Sequence, residues 1–503
     1  MSHGPILVVG AGPVGLTLAS ELRRTDLPVR VVDRLPEPSP WSKAVAVHAR
    51  TMELLRSLGV AARFEEESVH AVGATLLADG KTLAEVGFEH VDSAFPYAAC
   101  LPQDVTESIL HDLLVERGGA VERSVELVAL DEDEGGVRGT LRDPEGAETT
   151  ETFEYVIGCD GGHSTVRRLA GSKLEGSFEG ATFLLVDCDA EHSLGRDRIY
   201  LVFHPEGIFG LFPLPGERVR LVAQIPRTPA QGAEPTLEEA QGISDARMDG
   251  ALVLRDPRWL TYFEVHNAQV PEYRLGHLFL AGDAAHVHSP AGGQGMNTGM
   301  QDGFNLAWKL RLAWSGAAAT GLLDSYHAER HPVGAHVVRN AASMTTAFTR
   351  GGATARPARE LLLSTLVGHT PLRETLAREL SETTVSYHRS PIVSGLPRRS
   401  VGHGPLRPGD VAPVVGNLGG LLDPGVHTAL IFGPEGSLAE RLRANFGPLV
   451  RTARVDDPDG SIAARYGAGE GLLAIVRPDG HLAYLGEPDD LVHAERALLR
   501  AIG

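Results

Sequence analysis

One stretch near the start of the chain, Pro5-Ile-Leu-Val-Val-Gly-Ala-Gly-Pro-Val-Gly15, decides the fold. Its first five residues form a short apolar run, and the glycines that follow have the spacing G-x-G-x-x-G. Residues 16–24 then show helical spacing, and a second apolar run, 29–32, ends in Asp33. A strand, a glycine turn, a helix and a second strand in this order predict the opening unit of a parallel α/β sheet.

The three glycines, Gly10, Gly12 and Gly15, suit a phosphate-binding turn. The first permits the tight turn, the second lets a pyrophosphate approach the backbone, and the third lets the helix pack closely on the strand. The phosphates then meet the positive end of the helix, and Asp33, eighteen residues past the last glycine, can accept hydrogen bonds from an adenosine ribose. In this context the motif predicts dinucleotide binding over a purely structural turn, but alone it does not distinguish FAD from NAD.

The pattern of the sequence changes between about residues 180 and 270. Three β runs, 199–203, 208–212 and 219–225, alternate with Pro-Glu-Gly and Leu-Pro-Gly-Glu turns. This alternation predicts an antiparallel meander. We therefore expect a second, sheet-based domain inserted into the α/β domain.

A proline-, glycine- and arginine-rich segment at about 388–410 is typical of a linker. The elements predicted beyond it are a strand, a helix, a strand, a helix and a hairpin, at 428–432, 438–446, 450–455, 462–466 and 478–480, and then a final helix. This order predicts a thioredoxin-like domain. Because no cysteine lies in it, we expect no thiol chemistry there.

The fold class that follows is α/β with three domains. A Rossmann-like dinucleotide-binding domain is predicted from two segments, 1–179 and 271–390. The antiparallel-sheet domain, 180–270, is inserted between them and is expected to cover the substrate. The thioredoxin-like domain is predicted over 400–503.

The composition narrows the classes of function. With 46 Lys+Arg against 65 Asp+Glu, the formal net charge is −19, which argues against a nucleic-acid or anionic-membrane partner. The cysteines, Cys100, Cys159 and Cys188, have neither C-x-x-C nor metal-ligand spacing, so we expect a reducing, cytoplasmic location. The sequence shows no signal-peptide pattern, and no apolar run approaches the roughly 20 residues that a membrane span needs.

Two further glycine-containing turns follow predicted buried strands. Asp160-Gly161-Gly162 comes after a strand at 155–159, and Gly282-Asp283 comes at the end of a strand at 278–281. The carboxyl ends of strands in an α/β sheet are where ligands bind. The carboxylate of Asp283 suits the hydroxyl groups of a polyol because it only accepts hydrogen bonds. An Asp-Gly pair after a strand is often only a turn, and for Asp160 this purely structural interpretation stays open.

The segment 281–297 also contains Asp283, His286 and His288, which raises the alternative of a metal site. An H-x-H pair on a strand can bind a metal, but this pair follows a Gly-Asp turn and lacks an obvious further ligand. We therefore expect no metal and a supporting role for both histidines. The glycine-rich residues 290–297 offer backbone N–H groups suited to an electron-rich ring edge or an oxyanion.

Motifs along the whole chain are those of a known family. They are Ala-Arg-Thr-Met-Glu at 49–53, Leu-Pro-Gln at 101–103, Gly-Cys-Asp-Gly-Gly-x-Ser-x-Val-Arg at 158–167, Leu-Ala-Gly-Asp-Ala-Ala-His at 280–286, Pro-Ala-Gly-Gly-Gln-Gly-Met-Asn-Thr at 290–298, Gln-Asp-Gly-x-Asn-Leu-x-Trp-Lys-Leu at 301–310 and Ser-Tyr-His-x-Glu-Arg-His-Pro at 325–332. With the glycine turn and the cysteine-free tail, they resemble the FAD-dependent aromatic hydroxylases, the group A flavoprotein monooxygenases. The best fit is the subgroup that hydroxylates polycyclic polyketides in antibiotic biosynthesis, such as the angucycline and anthracycline hydroxylases.

The resemblance implies contacts with FAD for residues in these motifs. It assigns the pyrophosphate to Gly10, Gly12 and Gly15, the adenosine ribose to Asp33 with Arg34 beside it, the phosphate and ribityl portion to Arg50 and Gln103, FAD and NADPH jointly to Asp160, and the ribityl–pyrophosphate region to Asp283. Residues 290–297 would line the isoalloxazine ring, with Pro290, Gly293 and Gly295 facing the flavin and the N–H groups of Gly295, Met296 and Asn297 at its pyrimidine edge. One departure is Ala268, which stands roughly where many relatives have an arginine.

The resemblance also implies a reaction. NADPH reduces FAD, O₂ adds at flavin C4a, and the hydroperoxide transfers its distal oxygen to an electron-rich ring carbon. Phe203, Phe209 and Phe212 are available as walls of the substrate pocket, although a place in the core is favoured for each of them. The sequence identifies no general base.

Two alternatives to hydroxylation stay open. The same fold supports a Baeyer–Villiger oxygenation of a polyketide ketone, which only product analysis distinguishes from hydroxylation. A flavin-binding protein without turnover, acting as a carrier or assembly partner, is the other. The expected partners are a small aromatic substrate and O₂, and the sequence is compatible with a monomer or a homodimer.

Overall fold

A computed structural model describes residues 4–39, 44–78, 80–133, 135–226, 229–230, 232–289, 293–349, 370–395, 398–400, 404–434, 437–469 and 471–503. Strands and helices are numbered in chain order. Of the predicted site residues, Pro290 lies outside the described residues, together with residues 291 and 292.

The predicted glycine turn follows an inner strand of a six-stranded sheet. In spatial order its strands are β18 (Arg274–Leu275), β19 (Leu278–Leu280), β12 (Tyr155–Gly158), β1 (Ile6–Val9), β2 (Val29–Asp33) and β8 (Val121–Arg123). β1 pairs in parallel with β12 on one side and β2 on the other, and all its residues are buried. An inner parallel strand buried on both faces is expected to be a continuous apolar run, as this one is. Because β19 is parallel to β12 and β8 is parallel to β2, the carboxyl ends of five strands lie at the same end of the sheet.

Helices from distant parts of the chain pack on one another beside this sheet. α1 (Pro13–Leu22) contacts both α4 (Gln103–Glu116) and α7 (Gly295–Trp314). α1 starts with Pro13, at a position where the missing N–H of proline costs nothing. The other helices in this part of the chain are α2 (Ala49–Leu58), α3 (Ala61–Glu66), α5 (Thr165–Leu169), α6 (Leu237–Met248), α8 (Asp324–Thr349) and α9 (Thr370–Leu380).

Two small antiparallel sheets accompany the main one. The first consists of β11 (Glu148–Phe153), β10 (Gly136–Arg142) and β9 (Glu126–Asp133). The second consists of β3 (Ala46–Val47), β7 (Ala98–Cys100) and β4 (Val69–Ala71). The second sheet matters for the site because β3 lies beside the start of α7, as described below.

The inserted sheet has eight strands. Their order is β20 (His286–Val287), β17 (Leu252–Gln269), β13 (Glu175–His192), β16 (Arg218–Ile225), β15 (Gly207–Pro213), β14 (Arg198–His204), β5 (Gly73–Ala78) and β6 (Lys81–Gly87). The predicted meander is confirmed, because β14, β15 and β16 pair antiparallel. The sheet also contains β5 and β6, since β14 pairs in parallel with β5. It therefore uses residues 73–87 as well as the predicted segment.

The two faces of this sheet pack against different helices. Phe209 and Leu211 lie in one apolar cluster with Met248 of α6. Phe212 lies in another, with Ala377 of α9. Side chains alternate along a strand, so Phe209 and Phe212 of β15 point to opposite faces.

The C-terminal part contains a five-stranded mixed sheet. Its strands are β21 (Ser394–Gly395), β27 (Leu482–Gly486), β26 (Leu472–Val476), β24 (His427–Phe432) and β25 (Val450–Arg454). The helices are α10 (Leu418–Leu421), α11 (Leu438–Phe446), α12 (Ser461–Tyr466) and α13 (Leu491–Leu498), and β22 (Arg398–Ser400) pairs with β23 (Gly404–Leu406). The elements follow the predicted order, and the likeness to thioredoxin stays a prediction. Within the described residues, no helix combines the length and apolar character needed to cross a membrane.

Candidate cofactor site

The three glycines of the turn differ in what surrounds them. Gly10 has φ +102°, and a Cβ there would lie 2.4 Å from the carbonyl oxygen of Cys159. A Cβ on Gly15 would lie 2.0 Å from the carbonyl oxygen of Gly10. A Cβ on Gly12, at the N-cap of α1, would meet no atom within 4 Å. Two glycines therefore serve close packing within the protein, and the middle one faces open space at a helix N-terminus.

The carboxylate of Asp33 organises the end of β2. Its Oδ2 accepts a hydrogen bond from the Ala11 N–H at 2.8 Å, and its Oδ1 accepts one from the Leu35 N–H at 2.8 Å. Arg123 Nη1 lies 3.7 Å from Oδ2. A carboxylate has further lone pairs, so these contacts leave acceptor capacity for ribose hydroxyl groups. Arg34 follows it with an exposed side chain.

Asp160 caps a helix. Its Oδ2 accepts hydrogen bonds from the N–H groups of Thr165 and Val166, at 2.6 and 3.1 Å, at the start of α5. The other oxygen, Oδ1, is buried and has no partner in the described part of the chain. Asp160 therefore has a structural role as the cap of α5, which the sequence left open. Its shared role in FAD and NADPH binding stays a prediction.

Asp283 lies at the carboxyl end of β19, in a 3₁₀ turn Gly282–Ala284. Its side chain is exposed, whereas both neighbouring residues in the turn are buried. Gly282 has φ +60°, and a Cβ there would lie 2.8 Å from Val14 Cγ2 on α1. The turn therefore packs tightly on α1 and presents its carboxylate at the edge of the sheet.

The glycine-rich loop leads into the long helix α7. The helix begins at Gly295, its N-cap is Gln294, and no side chain among the described residues caps it. Asn297 is fully buried: its Oδ1 accepts from the His48 N–H at 2.9 Å, and its Nδ2 donates to the carbonyl groups of Ala46 and Gly293 at 2.8 and 3.0 Å. The side chain of Asn297 thus shapes the loop, while the N–H groups of the first turn remain available to an electron-rich ring edge.

Comparison with known proteins shows the family to which the chain belongs. The model of the FAD-binding domain family matches residues 4–341. Pentachlorophenol 4-monooxygenase of Sphingobium chlorophenolicum is 37% identical over 344 residues, which cover 67% of this chain and 64% of that protein, just under two thirds of its length. The solved structure of OxyS anhydrotetracycline hydroxylase from Streptomyces rimosus is 31% identical with a TM-score of 0.78, over 100% of this chain and 99% of that one. The chain belongs to the FAD-dependent aromatic monooxygenases.

A second solved structure is similar over the whole length. Aklavinone-11 hydroxylase, in a ternary complex with FAD and aklavinone, has a TM-score of 0.78 and 27% identity, over 99% of each chain. The residues present here fit the same cofactor. The open space at Gly12 suits a pyrophosphate at the N-terminus of α1, and the exposed carboxylate of Asp283 suits sugar hydroxyl groups.

Two further predicted flavin contacts, Arg50 and Gln103, are engaged with protein groups. Arg50 is 3% exposed, and its guanidinium donates to Glu53 Oε2 at 2.9 Å and to the carbonyl of Asp479 at 2.6 Å. Gln103 accepts from the Ala44 N–H at 3.0 Å and donates to Glu107 Oε1 at 2.8 Å. The guanidinium of Arg50 thus contacts the C-terminal part of the chain, and its assignment to the flavin, like that of Gln103, stays a prediction.

The two histidines of the flavin segment are held by protein groups. His286 is 1% exposed, with Nε2 2.9 Å from Asp302 Oδ2 and its ring stacked on Tyr273. His288 Nδ1 lies 3.0 Å from the Ser289 carbonyl, and burial and His286 lower the pKa of His288. In the part of the chain that the structure describes, no three His, Cys, Asp or Glu residues form a group suited to a metal. These contacts match the supporting role expected for both histidines.

Sequence reasoning assigned no role to a buried ion pair that contacts the first turn of α7. Asp302 accepts from the Gly282 N–H at 3.0 Å and from Arg330 Nε at 2.6 Å, and both charged side chains are fully buried. Arg330 also donates to the Thr298 carbonyl and to the Tyr387 hydroxyl. Although burial opposes ionisation, Arg330 and His286 hold the pKa of Asp302 below its ordinary value. The pair therefore joins the 3₁₀ turn, the first turn of α7 and α8.

A second buried polar network fastens α7 to the C-terminal sheet. Glu329 accepts from Lys309 Nζ at 2.7 Å and from Arg477 Nη1 at 2.6 Å, and Arg477 also pairs with Asp479. Trp308 of α7 donates to Asp479 Oδ2 at 3.2 Å. Burial lowers the pKa of Lys309 to about 8, although Glu329 opposes this shift. The C-terminal part is thus joined to α7 through buried ion pairs.

The three candidate wall residues divide between the two faces of the inserted sheet. Phe203 and Phe212 belong to the apolar cluster that includes Ala46, whose carbonyl group Asn297 holds. Phe209 packs on the other face, against α6. Phe209 therefore has the place in the core that the sequence favoured for it, and strand alternation turns its side chain away from the face that carries Phe212.

Proposed function

We propose that this protein hydroxylates a polycyclic phenolic or polyketide-derived aromatic compound, with NADPH as electron donor and O₂ as oxygen source. The observation that carries the proposal is the apolar face of the inserted sheet beside the flavin loop. Ile199, Phe203 and Phe212 on this face pack in one cluster with Ala46, which is hydrogen-bonded to Asn297 of α7. An apolar wall next to a cofactor suits a flat, apolar substrate.

The names of the relatives support this substrate class. They refer to pentachlorophenol, anhydrotetracycline and aklavinone. These compounds range from a single phenol ring to fused ring systems. Because the inserted sheet is long and its flavin-facing side is apolar, we propose a substrate at the larger end of this range.

The residues of this chain bind and orient the cofactor and the substrate and exclude water from them. FAD, when bound, supplies the redox chemistry with NADPH and O₂. With FAD bound, the N-terminus of α7 would direct its backbone dipoles toward the flavin ring, where they would stabilise negative charge. The apolar sheet face excludes water from the substrate side. The turn at Gly12 and the carboxylate of Asp283 would hold the phosphate and sugar portions of FAD.

Purified protein tests the proposal directly. We expect a flavin absorption spectrum, and NADPH consumption that phenols or polycyclic quinones from a substrate panel stimulate, with a product one oxygen heavier. A hydroxylated ring supports the proposal, whereas an inserted ester oxygen would assign the protein to Baeyer–Villiger oxygenation. Flavin binding with no stimulated NADPH consumption across the panel would favour a role without turnover. A colourless protein that FAD does not reconstitute would refute the cofactor assignment.

Replacing Phe203 by alanine is expected to raise the KM for the aromatic substrate about tenfold, since an aromatic contact is worth roughly 1.5–3 kcal/mol. Its side chain is only half-buried, so the melting temperature should change little. Phe209→Ala is the matched control, because Phe209 is 1% exposed on the opposite face. That variant should lose about 3–5 kcal/mol of stability and keep its KM. An unchanged KM in Phe203→Ala would remove this face from the substrate site.

We further propose a reducing, cytoplasmic location, supported by three cysteines that are buried and free. Light scattering of the purified protein distinguishes the monomer from the homodimer.

A further inference from the structure

Residues 379–382, which follow the main part of α9, lie against the start of the flavin helix; we call them the strap. The carbonyl of Glu379 accepts a hydrogen bond from Gln294 Nε2 at 2.9 Å. The carbonyl of Ser381 accepts one from the Arg50 N–H at 3.2 Å. The main chain of the strap therefore holds the N-cap of α7 and the start of α2 together.

The side chain of Glu382 adds two contacts with α7 itself. Its Oε1 lies 3.0 Å from Thr298 Oγ1, and its Oε2 accepts from Gln301 Nε2 at 2.5 Å. Thr298 and Gln301 are three residues apart, so they lie on one face of the helix in its first two turns. One carboxyl group thus restrains both the position and the rotation of the helix end that faces the flavin.

Glu382 occupies this place at a conformational and solvation cost. Its φ is +57°, in the left-handed region that non-glycine residues rarely adopt. Its side chain is 4% exposed, and burial raises the pKa of Glu382 to about 8, although Thr298 and Arg330 oppose the shift. The carboxyl group is therefore mainly neutral at pH 7. A strained, buried residue persists where surrounding contacts outweigh its cost, and here those contacts converge on α7.

The strap also continues a helix that packs on the proposed substrate side. Leu376, Ala377 and Leu380 of α9 belong to the same apolar cluster as Ile199 and Phe212. The strap is thus anchored at one end by the inserted sheet and at the other by the flavin helix. Because the inserted sheet fixes the position of the strap, Glu382 can restrain α7 and does not merely move with it.

We propose that Glu382 is a positioning residue for FAD, which holds the first two turns of α7 in the orientation that binds the flavin. When Glu382 ionises, it becomes a buried negative charge near the carboxylate of Asp302 on α7, and this carboxylate repels it. The guanidinium of Arg330 on α8 attracts it, while the Arg50 N–H of α2 bonds to the neighbouring Ser381 carbonyl of the strap. Ionisation of Glu382 therefore weakens the packing of the strap against α7. The inference requires FAD binding but not hydroxylation, so it is tested independently of the proposed reaction.

Three variants of the full-length protein, freed of flavin, test this role by fluorescence titration with FAD. Glu382→Ala removes both contacts with α7 and is expected to raise the Kd for FAD about tenfold or more at pH 6.5. Glu382→Gln keeps a neutral group of the same shape and should stay within about threefold of the wild type. Glu379→Gln is the control, because the Glu379 carboxylate is exposed and only its main chain contacts α7. Unchanged FAD affinity in Glu382→Ala would overturn the proposal.

A pH profile separates positioning from a general loss of folding. Between pH 6.5 and 9 the wild type should lose FAD affinity relative to Glu382→Gln, because only the wild type ionises at this site. Glu382→Gln also remains informative if Glu382→Ala does not fold. Identical pH profiles for the wild type and Glu382→Gln would contradict the proposal.

Stability should follow the same group. The pKa of Glu382 is raised from 4.5 to about 8 in the folded protein, so its stabilising effect is fully present below pH 4.5 and is lost between these values. The melting temperature of Glu382→Gln relative to the wild type should therefore increase by about 1–3 °C per pH unit from pH 5 to 8 and become constant above. A difference that does not vary with pH would show that Glu382 does not titrate in this range.

Discussion

Gly12→Ala is expected to yield a folded protein that no longer holds FAD. Gly12 has φ −81° and ψ −176°, which alanine adopts without strain, and a Cβ there meets no atom within 4 Å. The added methyl group occupies the space where a pyrophosphate approaches the N-terminus of α1. We expect the Kd for FAD to rise about 100-fold, equivalent to about 2.7 kcal/mol, while the flavin-free protein melts at the wild-type temperature.

Gly15→Ala should behave differently, although it changes the same motif by the same atoms. Its Cβ would lie 2.0 Å from the Gly10 carbonyl oxygen and 3.3 Å from Cys159 Cβ, so the main chain itself must shift. Overpacking of this kind costs about 1–3 kcal/mol or more, and the flavin-free protein should already be destabilised. Gly242→Ala, in α6 with no atom within 4 Å, is a control that should be neutral or slightly stabilising.

Thermal unfolding and FAD fluorescence measured on the same three variants distinguish these outcomes. Wild-type FAD affinity in Gly12→Ala would exclude the pyrophosphate from this turn. An unperturbed melting temperature in flavin-free Gly15→Ala would show that β1 and α1 are not packed as closely as the structure has them.

The parts of the fold that the sequence predicts are those set by local patterns. The first strand, the turn and α1 follow from apolar runs and glycines within about 20 residues of one another, and the meander follows from alternation along β14 to β16. The recruitment of β5 and β6 to the same sheet could not be predicted, since it joins residues more than 120 positions apart.

The site residues divide in the same way. The exposed carboxylate of Asp283 lies at the carboxyl end of a predicted strand. The helix α7, however, begins at Gly295, inside the glycine-rich segment 290–297 and before the amphipathic pattern of residues 302–313. The direction of the Arg50 guanidinium could not be foreseen, because its partner is the Asp479 carbonyl, 429 positions away. Glu382 gave no sequence signal at all, since its function as a contact of α7 depends on how α9 packs. The core position of Phe209 agrees with the interpretation that the sequence favoured, whereas alternation alone does not predict which face of the sheet meets the first turn of α7.

Asp302→Asn is expected to destabilise the protein by about 3–5 kcal/mol, because it leaves the fully buried charge of Arg330 without its counterion. Asparagine cannot replace the carboxylate, because it has only one acceptor oxygen where aspartate has two. Its NH₂ group would therefore face another donor, either the Arg330 Nε–H or the Gly282 N–H. We expect a lower melting temperature and weaker FAD binding together, since Asp302 supports the 3₁₀ turn that carries Asp283.

Asp324→Asn is the matched control for this prediction. The Asp324–Arg274 pair has nearly the same separation, 2.7 Å against 2.6 Å for Asp302–Arg330, but its carboxylate is 72% exposed. An exposed pair contributes about 0–1 kcal/mol because water already solvates both charges. Thermal and urea unfolding of the two variants should therefore differ by several-fold in free energy. Equal losses would mean that burial does not set the strength of the Asp302–Arg330 pair, and that the flavin loop is supported by other contacts.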